Sequence, residues 1–160
     1  MNAMVVLEKT RPIAEFRPMT VRDIPEVVAV EWSWEGSRWT RAMFERELGL
    51  PFSLSAVAEI GGIPVGFGVL WTVTDLAQLL EFAVSAPYRR QGIGAGLLNY
   101  MARSAKDRGC VKMELELHEG NFPAQRFYEK MGFLTSGRRR RFYDLGRGVL
   151  CDAILMDRPL

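Results

Sequence analysis

The stretch "YRRQGIGAGLL" (88–98) places three glycines at alternate positions directly before a run of helix-forming apolar residues. Glycine has no Cβ, so such a loop can wrap until successive amide groups converge on an anion at the positive end of the helix that follows. Arg89 and Arg90 add positive charge beside it. The chemistry on offer is phosphate binding; the plain alternative is a tight strand-to-helix turn with a solvated arginine pair. Two nucleotide motifs fail on spacing. A P-loop needs GxxxxGK[ST], and neither the Lys nor the hydroxyl residue is present. A dinucleotide fingerprint needs GxGxxG, but the third position is Leu97 when counted from Gly92 and Asn99 when counted from Gly94. What remains is Arg89, two residues, Gly92, one residue and Gly94.

Residues able to move a proton lie on either side of that loop. Alternation along "VKMELEL" (111–117) puts Glu114 and Glu116 on one face of a strand, with Met113, Leu115 and Leu117 on the other. Glu81 sits between Leu80 and Phe82, either as a base or as a satisfied polar residue in an apolar strand. His118 is the only histidine and has the intrinsic pKa of a base, two residues past Glu116. No Ser-His or Cys-His nucleophile signature is present, and no cluster has metal-ligand spacing, so neither an acyl-enzyme nor a metal is expected.

The elements that must hold these residues follow from caps and periodicity. "AEFRPM" (14–19) reads as a strand, and Thr20 caps a helix to about Trp32 with Asp23 in capping-box position. After the loop "EWSWEGSRW" (31–39), Thr40 opens a short helix that stops at Gly49. "SLSAVAEI" (53–60) and "VGFGVLWTV" (65–73) form a hairpin across "GGIP", and "QLLEFAV" (78–84) follows. A helix carries the stripe Ile93, Leu97, Leu98, Met101 and Ala105 to Gly109; strand 111–117 comes next, and then a helix capped by Asn121 and stopped at Gly132. "FLTSGRRRRFY" and "VLCDAILMDRP" close as an antiparallel pair. The expected fold is α/β (α+β): a mixed, mainly antiparallel seven-stranded sheet flanked by about four helices, with strands 78–84 and 111–117 parallel across a helical crossover.

The 160 residues are expected to form one domain, 1–160. A net charge of +2 gives no case for nucleic acid binding, and no apolar run reaches the length of a membrane span. Cys110 and Cys151 form no CxxC pair and read as reduced thiols of a cytoplasmic protein.

At this point the motifs resemble a known family. R-x-x-G-x-G (Arg89, Gly92, Gly94) is similar to the pyrophosphate-binding loop of the GNAT N-acetyltransferases, and "LLEFAVSAPYRRQGIGAGLLNYM" resembles their strand-loop-helix core. "NFPAQRFYEKMGF" resembles their second signature, N-x-x-A-x-x-x-Y-x-x-x-G-F. Within the family the likeness is to the ribosomal-protein-alanine N-acetyltransferases, through "RWTRAMFEREL", "LELHEGNFPAQRFYEKMGF" and "RRFYDLGRGVLCDAILM".

The resemblance implies direct transfer of acetyl from acetyl-CoA to an amine. It implies Glu116 as the general base, by its position relative to Asn121, with Glu81 as the runner-up, and Tyr128 as the acid that protonates the leaving thiolate. The acetyl-CoA site would comprise the backbone of Phe82, Ala83 and Val84, the loop residues Arg89, Arg90, Gln91, Gly92, Ile93, Gly94 and Ala95, and Asn121 and Tyr128. Trp34 and Trp39 either wall an acceptor cleft or anchor their loop to the core. Phe142 and Tyr143 stand where relatives hold the substrate's N-terminus, and Arg138–Arg141 is either a solvated strand of alternating exposure or a draw for an acidic partner. The expected acceptor is a protein N-terminal α-amine, such as that of a ribosomal protein. The alternatives are a small amine (polyamine, amino acid or antibiotic) and a non-catalytic acyl-CoA-binding module, the last disfavoured by Glu116 together with Tyr128. The chain is expected to work as a monomer or homodimer.

Overall fold

Caps and turn glycines cut the chain close to where the sequence places the breaks. In the computed structural model, which describes residues 13–33 and 39–160, β1 is Glu15–Pro18 and α1 is Ile24–Trp32. A 3-10 turn over Val21–Asp23 leads into α1, so the helix expected to begin at Thr20 starts as a tighter turn. The Asp23 carboxylate accepts from the Thr20 amide (2.8 Å) and hydroxyl (3.1 Å), the return arm of a capping box. Thr40 caps α2 (Arg41–Leu48) by accepting from the Met43 amide. β2 (Ser53–Ile60) and β3 (Ile63–Val73) meet through Gly61 and Gly62, both at positive φ as a tight hairpin turn requires. Then follow β4 (Leu76–Val84), α3 (Ile93–Asp107), β5 (Lys112–His118), α4 (Phe122–Lys130), β6 (Leu134–Asp144) and β7 (Leu150–Pro159).

The seven strands form one sheet in the order β1-β2-β3-β4-β5-β7-β6. Every neighbouring pair is antiparallel except β4 and β5. That parallel pairing runs only from Leu76↔Lys112 to Leu79↔Leu115, after which β4 continues to Val84 and β5 to His118 without each other. The sheet therefore opens in its middle. One residue of β4, Leu80, is extra: β3 pairing passes from Leu70↔Leu79 straight to Val69↔Glu81. A bulge of this kind shifts the side-chain phase.

Each face of the sheet carries its own core. Ala77, Leu79, Val84, Met113, Leu115 and Leu117 pack with α3, whose buried residues include Ile93, Leu97, Leu98, Met101 and Ala105. Val57, Phe67, Val69 and Ala83 pack with Val27, Val30 and Phe44 from α1 and α2. Gly96 lies on the α3 side, where a Cβ would collide with the Phe16 ring. The third glycine of the opening motif is thus spent on packing helix to sheet.

The edge strand β1 is tied down by charge. Arg17 Nη1 and Nη2 donate to the two Asp23 oxygens at 2.7 and 2.8 Å, and its Nε donates to Glu59 at 2.7 Å. The Arg17 hydrogen bonds hold the buried Asp23 carboxyl below the ordinary aspartate range. A depressed carboxyl stabilises the fold above its unfolded pKa, and that contribution fades as the pH falls through the folded value. Asp23→Ala is therefore expected to cost about 1–3 kcal/mol near neutral pH and to flatten the loss of stability below about pH 4. Urea unfolding at both pH values measures this; an unchanged midpoint would remove the network from the account.

Candidate active site

The open end of the β4–β5 pair brings candidate residues of three strands to one face. On β5, Met113, Leu115 and Leu117 are buried toward α3, so Glu114, Glu116 and His118 point the other way. On β4 the bulge at Leu80 matters: continued alternation from Ala77 and Leu79 would turn Glu81 toward α3. With the extra residue, Phe82 and Val84 take that side instead, and Glu81 shares the face of Glu116. On β7, Leu155 and Ala153 lie opposite Glu116 and His118, and on β6 Arg139 and Tyr143 lie opposite Ala153 and Cys151. Glu81, Glu116, His118, Arg139 and Tyr143 thus form a row across the sheet.

Electrostatics link the members of that row. Arg139 Nη2 meets Glu116 Oε1 at 3.0 Å. The Tyr143 ring packs edge-on against His118 at 6.1 Å. Burial, and then the negative charges of Glu116 and Glu81, raise the Tyr143 hydroxyl above the usual tyrosine range. Phe142 is half exposed and lies under the Arg139 guanidinium at 5.3 Å.

Tyr128 approaches from the opposite side of the sheet. It is buried in α4 among Phe127, Phe133 and Phe82, with ring centroids 5.1, 5.5 and 6.5 Å away. Burial, reinforced by the Glu81 charge, pushes its hydroxyl far above the ordinary value. It holds its proton, which is what an acid must do until a stronger base arrives. Asn121 caps α4 by accepting from the Ala124 amide at 3.3 Å.

The glycine loop closes the α3 end. Gly92 stands at φ 84° as the N-cap of α3, where an L side chain would be strained, and no side chain caps the helix. The first-turn amides of Ile93, Gly94 and Ala95 are the ones an α-helix leaves without internal partners. Arg90 is exposed at φ 61°, Gln91 Nε2 donates to Pro87 O (2.9 Å), and Arg89 Nε donates to Val84 O (2.8 Å). Arg89 thus ties the loop to the end of β4, and burial lowers its pKa. A Cβ on Gly94 would meet Phe127 and Val84 only at ordinary contact distance, 3.5 and 3.6 Å.

The remaining residues divide. Trp39 is half buried against Phe44, with ring centroids 5.3 Å apart, and its amide donates to the buried Glu31 carboxylate at 3.1 Å, so it anchors its loop. Trp34 lies outside the described residues. The expected regular alternation of Arg138–Arg141 does not occur. Pairing jumps from Arg139↔Ala153 to Tyr143↔Cys151, leaving Arg140, Arg141 and Phe142 opposite Asp152 alone. Asp152 stabilises this bulge by accepting from the Arg141 amide at 2.9 Å, with Arg141 at φ 52°. All four arginines are exposed; Arg138 pairs with Glu119 (2.8 Å) and Asp152 (3.5 Å). Among the described residues, no group of His, Cys, Asp and Glu is placed to hold a metal ion, and no helix is long and apolar enough to cross a membrane.

A mixed sheet opened at its one parallel pair, with a left-handed glycine at the start of the next helix, is the architecture of an acyl-CoA-using transferase, and the comparisons agree. The model of the acetyltransferase (GNAT) family matches residues 24–133. The chain belongs to this family and is an acetyl-CoA-dependent N-acetyltransferase. It is 33% identical over 139 residues to a Bacillus subtilis (strain 168) protein provisionally named [ribosomal protein bS18]-alanine N-acetyltransferase, covering 86% of this chain and 92% of that one. It is 30% identical over 138 residues to the Escherichia coli (strain K12) [ribosomal protein bS18]-alanine N-acetyltransferase, with the same coverage. The crystal structure of the E. coli ribosomal-protein-S18-alanine N-acetyltransferase superposes with TM-score 0.82 at 26% identity, covering 92% of this chain and 94% of that one. Arabidopsis thaliana NAA60 in complex with acetyl-CoA shares the fold, with TM-score 0.81 at 21% identity over 92% of this chain and 99% of that one.

The environment of Tyr128 is directly measurable. In an absorbance titration against Tyr128→Phe, the difference spectrum is expected to show no phenolate from Tyr128 at pH about 10, where an ordinary tyrosine is half ionised. Half-ionisation at that pH would contradict the burial and Glu81 effects.

Proposed function

We propose that this N-acetyltransferase acetylates the N-terminal α-amine of a protein, with a ribosomal protein as the acceptor. The observation that carries the reading is the arrangement at the open β4–β5 pair, with Glu116 and Glu81 on one face and the protonated Tyr128 on the other. The acceptor class follows from relatives named for bS18-alanine N-acetylation that match nearly the whole chain. Cytoplasmic action of one domain spanning 1–160 accords with that class.

Acetyl-CoA supplies the activated thioester. The uncapped first turn of α3, with Arg90 and Gln91 beside it, binds the pyrophosphate. The β4 backbone from Phe82 to Val84 and the Asn121 side chain hold the pantetheine arm; the Val84 carbonyl is already engaged by Arg89, so Val84 contributes its amide alone. Glu116 takes a proton from the acceptor ammonium, and the freed nitrogen attacks the thioester carbonyl. As the carbon–sulfur bond breaks, Tyr128 gives its proton to the leaving sulfur, and the second proton that the nitrogen sheds on becoming an amide restores the Tyr128 hydroxyl. Burial, reinforced by the Glu81 charge, keeps Tyr128 protonated until then, and Phe142 and Tyr143 flank the incoming N-terminus. No covalent acyl-enzyme is required.

The test is acetyl-CoA turnover on a panel of N-terminal peptides, polyamines and free amino acids. Peptide N-termini are expected to be acetylated, with Glu116→Gln and Tyr128→Phe each lowering kcat about 100-fold or more. Turnover confined to small amines would overturn the acceptor. Full activity of Glu116→Gln, with activity lost in Glu81→Gln, would transfer the base role to Glu81.

A further inference from the structure

We propose that Arg139 is a positioning residue of acetyl transfer: by binding Oε1 of Glu116 it fixes that carboxylate so that Oε2 is the oxygen that receives the amine proton. The inference rests on Glu116 as the base and adds a residue that the family motifs do not mark.

The geometry singles out one arginine of four. Arg139 reaches Glu116 from two strands away, across β7, where the residue opposite it is the small, fully buried Ala153. Its Nη2 lies 3.0 Å from Glu116 Oε1, whereas Arg138 pairs with Glu119 and Asp152. Among the described residues, Oε2 of Glu116 enters no ion pair or hydrogen bond. The two ends of the contact differ in exposure: the Arg139 side chain is 53% exposed and the Glu116 side chain 20%.

Two features hold the guanidinium itself in place. The Phe142 ring lies beneath it at 5.3 Å, and a planar cation on an aromatic face loses rotational freedom. Phe142 can occupy that place because it belongs to the bulge opposite Asp152, with Arg141 in the left-handed region and its amide bonded to Asp152 Oδ1. Backbone strain of this kind persists where the surroundings over-determine it, and it clusters at functional sites.

Magnitudes decide between orientation and stability. An ion pair with one partner half exposed contributes little to folding. Misplacing a reacting group by about 1 Å can cost about 100-fold in rate. The carboxylate has two equivalent oxygens, and a guanidinium nitrogen held against one of them converts a rotating base into a fixed one.

The experiment compares Arg139→Met, Arg139→Lys, Glu116→Gln and the Arg139→Met/Glu116→Gln double variant on the best peptide acceptor, with melting temperatures as controls. Arg139→Met is expected to lower kcat about 10- to 100-fold while leaving the KM for acetyl-CoA and the melting temperature unchanged. Arg139→Lys, which keeps the charge but not the fork, should recover part of the loss. In the Glu116→Gln background, removing Arg139 should cause no further loss, because it acts through Glu116. Wild-type kcat in Arg139→Met alongside an impaired Glu116→Gln would overturn the positioning role and leave the base intact. Losses that multiply in the double variant would also overturn it. Full activity of Glu116→Gln would instead remove the base reading, and the proposal with it.

Discussion

Everything at the functional end of the molecule depends on where one parallel ladder stops. Backbone N–H and C=O groups seek partners, and a strand that leaves its neighbour exposes a row of them. After Leu79 and Leu115, β4 stays paired to β3 and β5 to β7, but the inner edges of the two strands part. The uncapped first turn of α3 lies beside the end of β4, with Gly94 next to Val84. Such an edge suits an extended ligand with amides of its own, and the helix start suits the phosphates at the ligand's far end.

The same opening separates the proposed acid from the proposed base. A closed sheet would insulate its two faces from each other. Here Glu81 lies on the face of Glu116, yet its charge is felt by Tyr128 from the other side, and also by Tyr143. The bulge at Leu80 sets that sidedness, because without the extra residue Glu81 would point toward α3. The wide bulge at Arg140–Phe142 does the corresponding work on β6, bringing Arg139 and Tyr143 to one end of the row. Both irregularities re-aim side chains around the candidate site, as bulges beside active sites commonly do.

Much of this was legible in the sequence because the signals were local. Thr40 and Asn121 announced their helices, alternation in "KMELELH" assigned the faces of β5, and the glycines at 92 and 94 marked the turn that opens α3. The leucine pair at 79 and 80 breaks the period-two pattern and could have flagged the β4 bulge. Arg139 gave no such signal: in a run of four arginines, only register across β7 shows which one meets Glu116. Trp39 was equally ambiguous, since its clamp comes from Glu31, which the sequence places in α1 with nothing to mark it as buried. Long-range pairing decides such contacts, and local composition does not carry it.

The central claim is that the open β4–β5 edge and the start of α3 form a single acetyl-CoA slot. Backbone amide NMR during a titration with CoA tests it most directly. The account predicts that shifts concentrate at residues 80–84 and 92–95, together with Asn121. The paired segments 76–79 and 112–115 should stay still. Perturbation centred on the closed end of the sheet, or an unmoved α3 start at saturation, would contradict it.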